Sequence, residues 1–380
     1  MPIRCTVLLA GAGLFTKSLV NVGRADLGIT VDHLVAFGIS PQMNGYTPER
    51  ARQFFEQVED ALMALPGVTS VTGSMVGLLA GNNYGSNVLV QGFDMGPDAD
   101  THAYFNEVGT DYFRTLGTPM VAGREFTRAD ALGRPKVAIV NEAFAKKFNL
   151  GHDAVGKRMR QGRGGDLDIE IVGLAKDARY SEVKDEAPPV FVTPYRQDER
   201  RGDLSFYVRT SGDPATLLRS IPPTIARLDP NLPVDTPRTM SEQVRQNTAL
   251  DRMISTLAAS FAVLATLLAA IGLYGVLAYT VTQRTREFGL RMALGAAPGR
   301  VRRLVLQQVA WMTLIGAAIG TVVAMLMGPK LESMLFGVKG HDATVLAASV
   351  AVLTLVAFAA GLLPAWRASR LDPMRALRYE

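Results

Sequence analysis

The chain of 380 residues is poor in the residues that build covalent cross-links and metal centres. It contains one cysteine, Cys5, so no disulfide can form within the chain, and cysteine usage does not indicate a redox compartment. Its four histidines are scattered, and no spacing of histidine and cysteine matches a zinc site. No Gly-x-Ser-x-Gly sequence occurs, so the usual α/β-hydrolase nucleophile is missing. We therefore predict no catalytic, metal-binding or cofactor-binding residues.

Charged residues are missing from three long stretches in the last third of the chain. About 31 residues between Arg252 and Arg284 are uncharged, and the next two stretches run for about 26 and about 24 residues. A helix needs roughly 20 apolar residues to cross the hydrocarbon core, whereas the alternative, a buried core helix, fits runs of about 10 to 14. Because the stretches are rich in alanine, leucine and valine, helices are expected. We predict three transmembrane helices, near residues 254–281, 304–327 and 344–364.

Positive charge clusters beside these stretches. Six arginines and one acid lie in the connection between the first two spans, namely Arg284, Arg286, Arg291, Arg300, Arg302, Arg303 and Glu287. Four arginines lie in the tail, namely Arg367, Arg370, Arg375 and Arg378, whereas the middle connection balances lysines against acids. Excess positive charge is typical of cytoplasmic segments, so the first connection and the tail are expected in the cytoplasm. The net charge is +5, and because the positive residues are concentrated beside the apolar stretches, they indicate how the chain is oriented in a membrane and do not indicate nucleic-acid binding.

The second predicted span carries two glycines four residues apart, Gly316 and Gly320. Small residues at this spacing let two helices approach closely in a membrane. Packing inside the bundle and contact with a second copy explain the pair equally well.

This orientation places the domain before the first span outside the cytoplasm, so an N-terminal segment must carry it across the membrane. The apolar run from Cys5 to Phe15 has about 11 residues, which is too short to span alone. It is either a signal peptide with a small-residue cleavage site near Ala10–Ala12, or the outer end of a transmembrane helix. We favour a partial transmembrane helix within residues 1–25.

Residues 26–250 have the pattern of a folded α+β domain. Thr47, Asn141 and Asp213 are each placed to cap a helix, and Pro222–Pro223 is expected to break or kink the last of these. Strands are predicted at His33–Ser40, Ser70–Val76, Asn87–Phe93, Lys136–Val140, Ile169–Leu174, Pro189–Thr193 and Ser205–Arg209. Neither proline nor glycine occurs from Ser241 until the first span, so one continuous helix is expected to enter the membrane and to transmit motion.

Two sequences approach nucleotide-binding motifs, and each lacks a required residue. Gly151–Lys157 resembles a phosphate-binding loop, but Arg158 stands where the magnesium-binding serine or threonine belongs. Gly11–Thr16 lacks the third glycine of a dinucleotide fingerprint. The acids within residues 166–170 fit a solvated strand face better than a general acid–base pair. We therefore predict that the chain is not an enzyme.

Several segments resemble one family. Gln283–Ala296, with the sequence QRTREFGLRMALGA, and Pro364–Leu377 are similar to the cytoplasmic loop and the C-terminal end of MacB/FtsX-type ABC transporter permeases. Tyr112–Arg124 and Val140–Phe148, followed by Val155–Arg158, resemble the MacB-type periplasmic core. Leu8–Leu19 is similar to the internal junction of double-length members, in which two permease units are fused. The chain is therefore expected to be the C-terminal half of such a member.

The resemblance implies a fold and a function. The fold is an α+β periplasmic domain (residues 26–250), followed by an all-α bundle of three transmembrane helices (residues 251–380), with a partial N-terminal transmembrane helix. The function is that of a permease subunit that passes ATP-driven motion from a separate cytoplasmic ATPase to the periplasmic domain, for efflux or export. The alternatives are an FtsX-like regulatory membrane protein and a truncated, non-functional permease half.

The resemblance also implies a site and partners. The segment expected to couple to the ATPase comprises Arg284, Arg286, Glu287, Phe288, Gly289, Leu290, Arg291, Met292, Ala293, Leu294 and Gly295. The expected partners are a cytoplasmic ABC ATPase subunit, a second permease unit or a homodimer, the lipid bilayer and a periplasmic adaptor, with no nucleic acid. The expected location is the inner membrane, with residues 26–250 periplasmic and the C-terminus cytoplasmic.

Overall fold

The chain divides into two compact units. The computed structural model describes residues 2–93, 99–162, 164–235, 237–285, 287, 290–291, 294 and 297–369. The helical unit comprises Met1–Arg24 and Ala249–Glu380, and the α/β unit comprises Ala25–Thr248. The α/β unit is thus inserted in the sequence between the first helix of the helical unit and the rest of that unit.

The described residues form α-helices and strands in the following order. The α-helices are α1 (Pro2–Gly23), α2 (Pro48–Met63), α3 (Tyr112–Leu116), α4 (Glu142–Lys147), α5 (Pro214–Leu228), α6 (Met240–Asn247), α7 (Ala249–Gln283), α8 (Pro298–Leu331) and α9 (Ala343–Ala368). The strands are β1 (Leu34–Ile39), β2 (Val68–Ser74), β3 (Gly85–Val90), β4 (His102–Val108), β5 (Met120–Gly123), β6 (Lys136–Asn141), β7 (Arg158–Gln161), β8 (Ile169–Ala175), β9 (Val190–Pro194), β10 (Leu204–Thr210) and β11 (Arg238–Thr239).

The helical unit consists of α1, α7, α8 and α9, and its long helices coincide with the predicted spans. Four helical segments in the described residues are long and apolar enough to cross a membrane, namely Ile3–Gly23, Ala249–Gln283, Gly299–Met334 and Ala343–Ala368. At about 1.5 Å per residue, even the shortest of them exceeds 30 Å, which is the thickness of the hydrocarbon core. The fold therefore joins an α/β domain to a set of apolar helices.

The N-terminal helix extends beyond the apolar run of the sequence. The run Cys5–Phe15 has about 11 residues, whereas α1 has 22 residues and lies within the range 1–25 given for the partial helix. Polar residues follow Phe15, so the apolar run does not reach the end of the helix. In the structure those polar side chains have partners within the helical unit: Thr16 bonds to the Ala12 carbonyl oxygen, and Lys17 bonds to Asp342. Satisfied polar groups do not end a helix, so the helix continues to Gly23.

The α/β unit is built on one mixed sheet. Its strand order is β11-β1-β10-β2-β4-β3-β7-β8-β6-β9, with β5 paired to β8 and an additional pairing of β4 with β9. The pairs β4–β9 and β6–β8 are parallel, and the other pairs are antiparallel. In the antiparallel pair of β1 and β10, Leu34 lies opposite Arg209 and Ile39 lies opposite Leu204. All seven predicted strands are present, with ends that coincide or are shifted by up to three residues.

Two hydrophobic cores hold the sheet to its helices. The first core packs α2 and α5 against β1, β2 and β10 around the fully buried Phe55 and Phe206, whose ring centroids lie 6.1 Å apart. The second core packs α4 against β3, β4, β6, β8 and β9, with Phe144 and Phe148 at 4.5 Å. The capping predictions are confirmed, since Asn141 Oδ1 accepts a hydrogen bond from the Phe144 amide at 3.0 Å.

The two adjacent prolines do not break α5, so the first of the two predicted effects, a break or a kink, is wrong. The helix runs from Pro214 to Leu228 with Pro222 and Pro223 inside it. Both prolines are exposed, while Ile221 and Ile225 on the other face are fully buried. Solvent can hydrate carbonyl oxygens that lose their amide partners on the exposed face, and the buried face keeps the helix on the core.

The continuous helix expected from Ser241 into the membrane is also corrected. The structure contains two helices, α6 and α7, which are separated at Thr248. Thr248 is buried, and its hydroxyl donates to the Val244 carbonyl oxygen at 3.0 Å. A threonine side chain that bonds back to the preceding turn competes with the backbone and favours a helix irregularity. The absence of glycine and proline was therefore insufficient to predict continuity.

Candidate functional site

The predicted coupling segment joins α7 to α8, and the structure describes part of it. Arg284, Glu287, Leu290, Arg291 and Leu294 are described. The other predicted residues, Arg286, Phe288, Gly289, Met292, Ala293 and Gly295, lie outside the described residues. Their proposed roles remain predictions from sequence.

The described part of the segment has helical character. Its amide–carbonyl bonds run four residues back, from the Arg284 amide to Thr280 at 3.1 Å and from the Leu294 amide to Leu290 at 3.0 Å. Glu287 and Arg291 form an ion pair at 2.5 Å with the i, i+4 spacing of a helix surface. Leu290 is 53% exposed and Leu294 is 79% exposed. In the described part of the segment, two leucines one turn apart are therefore exposed.

The end of the helical unit beside this segment is tightly packed. A buried cluster joins α7, α8 and α9, and it consists of Leu277, Val301, Val305, Val309, Ala357, Ala365 and Ala368. A Cβ atom at Gly361 would lie 2.9 Å from Val309 Cγ2, so α9 and α8 meet at a distance that only glycine permits. Arg367 Nη1 donates to the Tyr274 hydroxyl at 2.9 Å. A displacement of the segment would therefore move these helix ends together.

Helix α1 packs against the other helices through small residues. A Cβ at Gly320 on α8 would lie 2.6 Å from Thr6 Cβ, and one at Gly13 on α1 would lie 2.7 Å from Val345 Cγ1. The sequence left open whether Gly320 serves packing inside the bundle or a second copy. In this structure it receives α1, so the close approach is internal.

The rejected motifs have ordinary structural roles. Gly151–Arg158 lies between α4 and β7, and the Gly156 amide donates to the Ile171 carbonyl oxygen at 2.8 Å. A phosphate-binding loop instead lies between a strand and a helix. Asp168 is exposed and pairs with Lys136 at 2.7 Å. Within the described part of the chain, no three His, Cys, Asp or Glu side chains are grouped to hold a metal ion.

Sequence reasoning missed two buried ionic groups in the α/β unit. Arg196 is 5% exposed and pairs with Glu59 at 2.6 Å and with Glu56 at 2.9 Å, which ties the chain after β9 to α2. Burial raises the pKa of Glu59, and the charge of Arg196 opposes that rise. An arginine within a charged run gave no sequence signal that it would be buried.

The second group lies between β4 and the loop before β10. Arg201 Nε donates to Glu107 Oε2 at 2.8 Å, and Nη2 of the same guanidinium donates to Asp198 at 3.1 Å. Glu107 is 7% exposed, and burial raises the pKa of its carboxyl group to about 7, against the lowering effect of Arg201. The stability of the α/β unit should therefore respond to pH near neutrality.

Comparison with known proteins identifies the family. The family model for the MacB-like periplasmic core domain matches residues 6–223, and the model for the FtsX-like permease C-terminal domain matches residues 259–373. The chain belongs to the MacB/FtsX-type ABC transporter permeases. The two matches agree with the two resemblances drawn from the sequence, since they cover most of the α/β unit and most of the apolar helices.

Two curated relatives agree with this assignment, and one solved structure is reported beside them. The macrolide export ATP-binding/permease protein MacB of Shewanella oneidensis is 30% identical over 349 residues, which is 87% of this chain and 50% of that protein. The pyoverdine export ATP-binding/permease protein PvdT of Pseudomonas aeruginosa is 26% identical over 376 residues, covering 94% of this chain and 53% of that protein. The crystallised periplasmic region of MacB from Actinobacillus actinomycetemcomitans aligns with 60% of this chain and 96% of its own, at 17% identity and a TM-score of 0.38.

This permease spans about half the length of the curated relatives that it matches. Family membership and the apolar helices identify it as an inner-membrane protein. Export of macrolides and of pyoverdine is a property of those relatives.

Proposed function

We propose that this chain is a permease subunit of an ABC export complex that carries ATP-driven motion from a cytoplasmic ATPase to the α/β unit in the periplasm. The proposal is supported by the family assignment and by the position of the coupling segment between α7 and α8. A second permease unit, or a second copy, would complete the membrane part of the complex. A periplasmic adaptor is a further candidate partner.

Charge supports the proposed orientation. Arg284, Arg291, Arg300, Arg302 and Arg303 lie in or beside the α7–α8 connection, and cytoplasmic connections carry such an excess. The ends of α1 and α7 that adjoin the α/β unit in the sequence then face the periplasm. A reporter fused between residues 295 and 299, or after Glu380, should report cytoplasm, and one fused within residues 162–165 should report periplasm. A cytoplasmic signal from the last fusion would contradict the orientation.

Exposed leucines at the coupling segment carry the ATPase assignment. Leu290 and Leu294 are apolar, so their exposure to water is unfavourable. They form a stripe only one helical turn long, which this short segment cannot bury by itself. A short helix with such a stripe can dock into a groove on a partner. The sequence predicts a separate small apolar face in the same segment, made of Phe288, Met292 and Ala293. Because the segment continues α7 and precedes α8, a partner that moves it displaces both helices.

The competing interpretation is that lipid covers the leucines and the arginines serve only as topology signals. The arginines would then contribute about 1 kcal/mol each near an anionic surface. The change Leu290→Asp separates the two interpretations, because it leaves every arginine in place. Docking would bury a carboxylate without a partner, so affinity for the ATPase should fall at least about tenfold. The change Phe288→Asp should act in the same direction.

Gln283→Glu is the matched control. It adds a carboxylate at an exposed position of α7 outside the coupling segment and leaves every arginine in place, so ATPase association should stay close to that of the unchanged chain. The measurement is co-purification of the ATPase subunit from membranes, normalised to inserted permease. Normal insertion together with undiminished ATPase recovery for both Leu290→Asp and Phe288→Asp would refute the coupling assignment.

A further inference from the structure

The end of α1 nearest Gly23 holds the connection between α8 and α9 through three polar side chains. Lys17 Nζ donates to Asp342 Oδ2 at 2.6 Å and to Thr344 Oγ1 at 3.0 Å. The Phe336 amide donates to Ser18 Oγ at 2.8 Å, and Asn21 Nδ2 donates to the Gly337 carbonyl oxygen at 3.0 Å. We call these contacts between Lys17, Ser18 and Asn21 and the connection at residues 335–342 the α1 clamp.

Side-chain position and local backbone both favour this arrangement. Residues 17, 18 and 21 have the i, i+1, i+4 spacing that places them on one side of a helix. Asp342 also caps α9, because its Oδ1 accepts from the amides of Thr344 and Val345 at 3.0 and 3.1 Å. One carboxylate therefore fixes the start of α9 and binds the ammonium group on α1.

The clamp completes a second connection to the α/β unit. That unit is joined to the helical unit at two points of the chain, after α1 and before α7. Displacement of the coupling segment would be transmitted along α7 to the junction that precedes α7. The other point lies beyond α1, which packs on α8 at Thr6 and Gly320 and is held by the clamp at its far end.

We propose that Lys17 and Asp342 are positioning residues for energy coupling: they keep α1 fixed to the α8–α9 connection, so that the α/β unit is driven through both of its chain ends. This proposal rests on the proposed function. In this view the clamp stays closed throughout the cycle. Breaking it should leave ATPase binding intact and weaken the response of the α/β unit.

An engineered disulfide tests the clamp without any ATPase. A Cβ at Gly337 would lie 3.8 Å from Asn21 Cβ, which matches the Cβ separation of disulfides. Gly337 has a φ of +62°, so a cysteine there costs about 1–2 kcal/mol, and normal membrane insertion of the Gly337→Cys variant is established first. In a Cys5→Ala background, the pair Asn21→Cys and Gly337→Cys should then cross-link in native membranes under mild oxidation. Lys17→Met should lower the cross-linking yield, and Lys17→Arg should restore it. A yield no higher than that of the control pair Asn21→Cys and Gly275→Cys would overturn the clamp, because nothing lies within 4 Å of a Cβ at Gly275.

Coupling is measured with a fluorophore on Met43→Cys, a site that is 86% exposed in the α/β unit. Lys17→Met should reduce the ATP-dependent change in emission at least about fivefold while ATPase co-purification is unchanged, and Lys17→Arg should retain the change. A purely structural role would lower insertion or ATPase binding together with the signal. An unaltered emission change in Lys17→Met, or a loss of it on oxidising the disulfide, would overturn the proposal.

The two proposals fail in distinguishable ways. If the unchanged chain neither binds an ATPase nor responds to ATP, the proposed function is wrong, and the disulfide yields still decide whether the clamp exists. If the unchanged chain responds and the Lys17 variants respond equally, the positioning role alone is wrong.

Discussion

Replacing Gly320 by alanine should open the contact between α1 and α8. The added methyl carbon would lie 2.6 Å from Thr6 Cβ and 3.1 Å from the Ile3 carbonyl oxygen, whereas carbon atoms in contact prefer about 3.5–4.0 Å. The two helices must therefore separate by about 1 Å, and such overpacking costs about 1–3 kcal/mol. Gly275→Ala on α7 is the matched control, because nothing lies within 4 Å of its Cβ position. Both changes gain the same helix propensity, up to about 1 kcal/mol, so their difference isolates the clash.

Cys5 provides a native reporter for this comparison. Its thiol is 3% exposed and donates to the Ala265 carbonyl oxygen at 3.2 Å, beside the Thr6 contact. A maleimide can react only when α1 separates from its neighbours, so the alkylation rate follows the opening equilibrium. A cost of about 1–3 kcal/mol corresponds to roughly 5- to 150-fold faster alkylation of Gly320→Ala than of Gly275→Ala. Equal rates for the two variants would refute close packing at Gly320.

Three further outcomes follow from the α/β unit. The free energy of unfolding of this unit should fall by up to about 3 kcal/mol as pH rises from about 5 to 8, because the Glu107 carboxyl group binds its proton more tightly in the folded protein than in the unfolded chain. The change Glu107→Gln should remove this contribution to the pH dependence. Phe55→Ala should lower the free energy of unfolding by about 3–5 kcal/mol in denaturant titrations, because Phe55 is fully buried. The control Met43→Ala, at an exposed site, should change it by no more than about 0.5 kcal/mol. Two glycines inserted after Thr248 should abolish the ATP-dependent response of the unit without preventing membrane insertion, and full transport by that variant would contradict transmission through α6 and α7.

Sequence patterns predicted the membrane helices well because the signal is physical and local. An uncharged stretch of about 31 residues has few stable forms in a bilayer other than a helix. Strands with apolar runs, such as β6 and β8, were also predicted, because their side chains fill a core. Strands such as β4 and β7 were missed, since His102–Val108 and Arg158–Gln161 carry polar residues at positions that pair with neighbouring strands.

Other features depend on contacts distant in sequence. Nothing near Lys17 indicates that Asp342, more than 300 residues away, would neutralise it and let α1 continue. The exposed position of Pro222 on α5 follows from which helix face meets the sheet, which sequence spacing alone did not reveal. The burial of Glu107 and Arg201 likewise appears only when β4 meets the loop before β10.

The coupling segment was located from the sequence by its arginines and its family resemblance. The structure adds the exposure of Leu290 and Leu294 and the ion pair of Glu287 with Arg291. Phe288, Met292 and Ala293, which the sequence predicts to form an apolar face of this segment, lie outside the described residues. Their part in docking stays a prediction.

If the α7–α8 connection contacts the ATPase, site-specific photo-cross-linking from that connection should capture the contact directly. A photoreactive amino acid at Leu294, 79% exposed in the segment, is compared with one at Leu268, 65% exposed on α7 within the predicted span. Irradiation of membranes containing the ATPase should give a permease–ATPase adduct from position 294 and none from position 268. Lipid adducts at both positions, with no ATPase adduct from position 294, would show that the α7–α8 connection does not contact the ATPase.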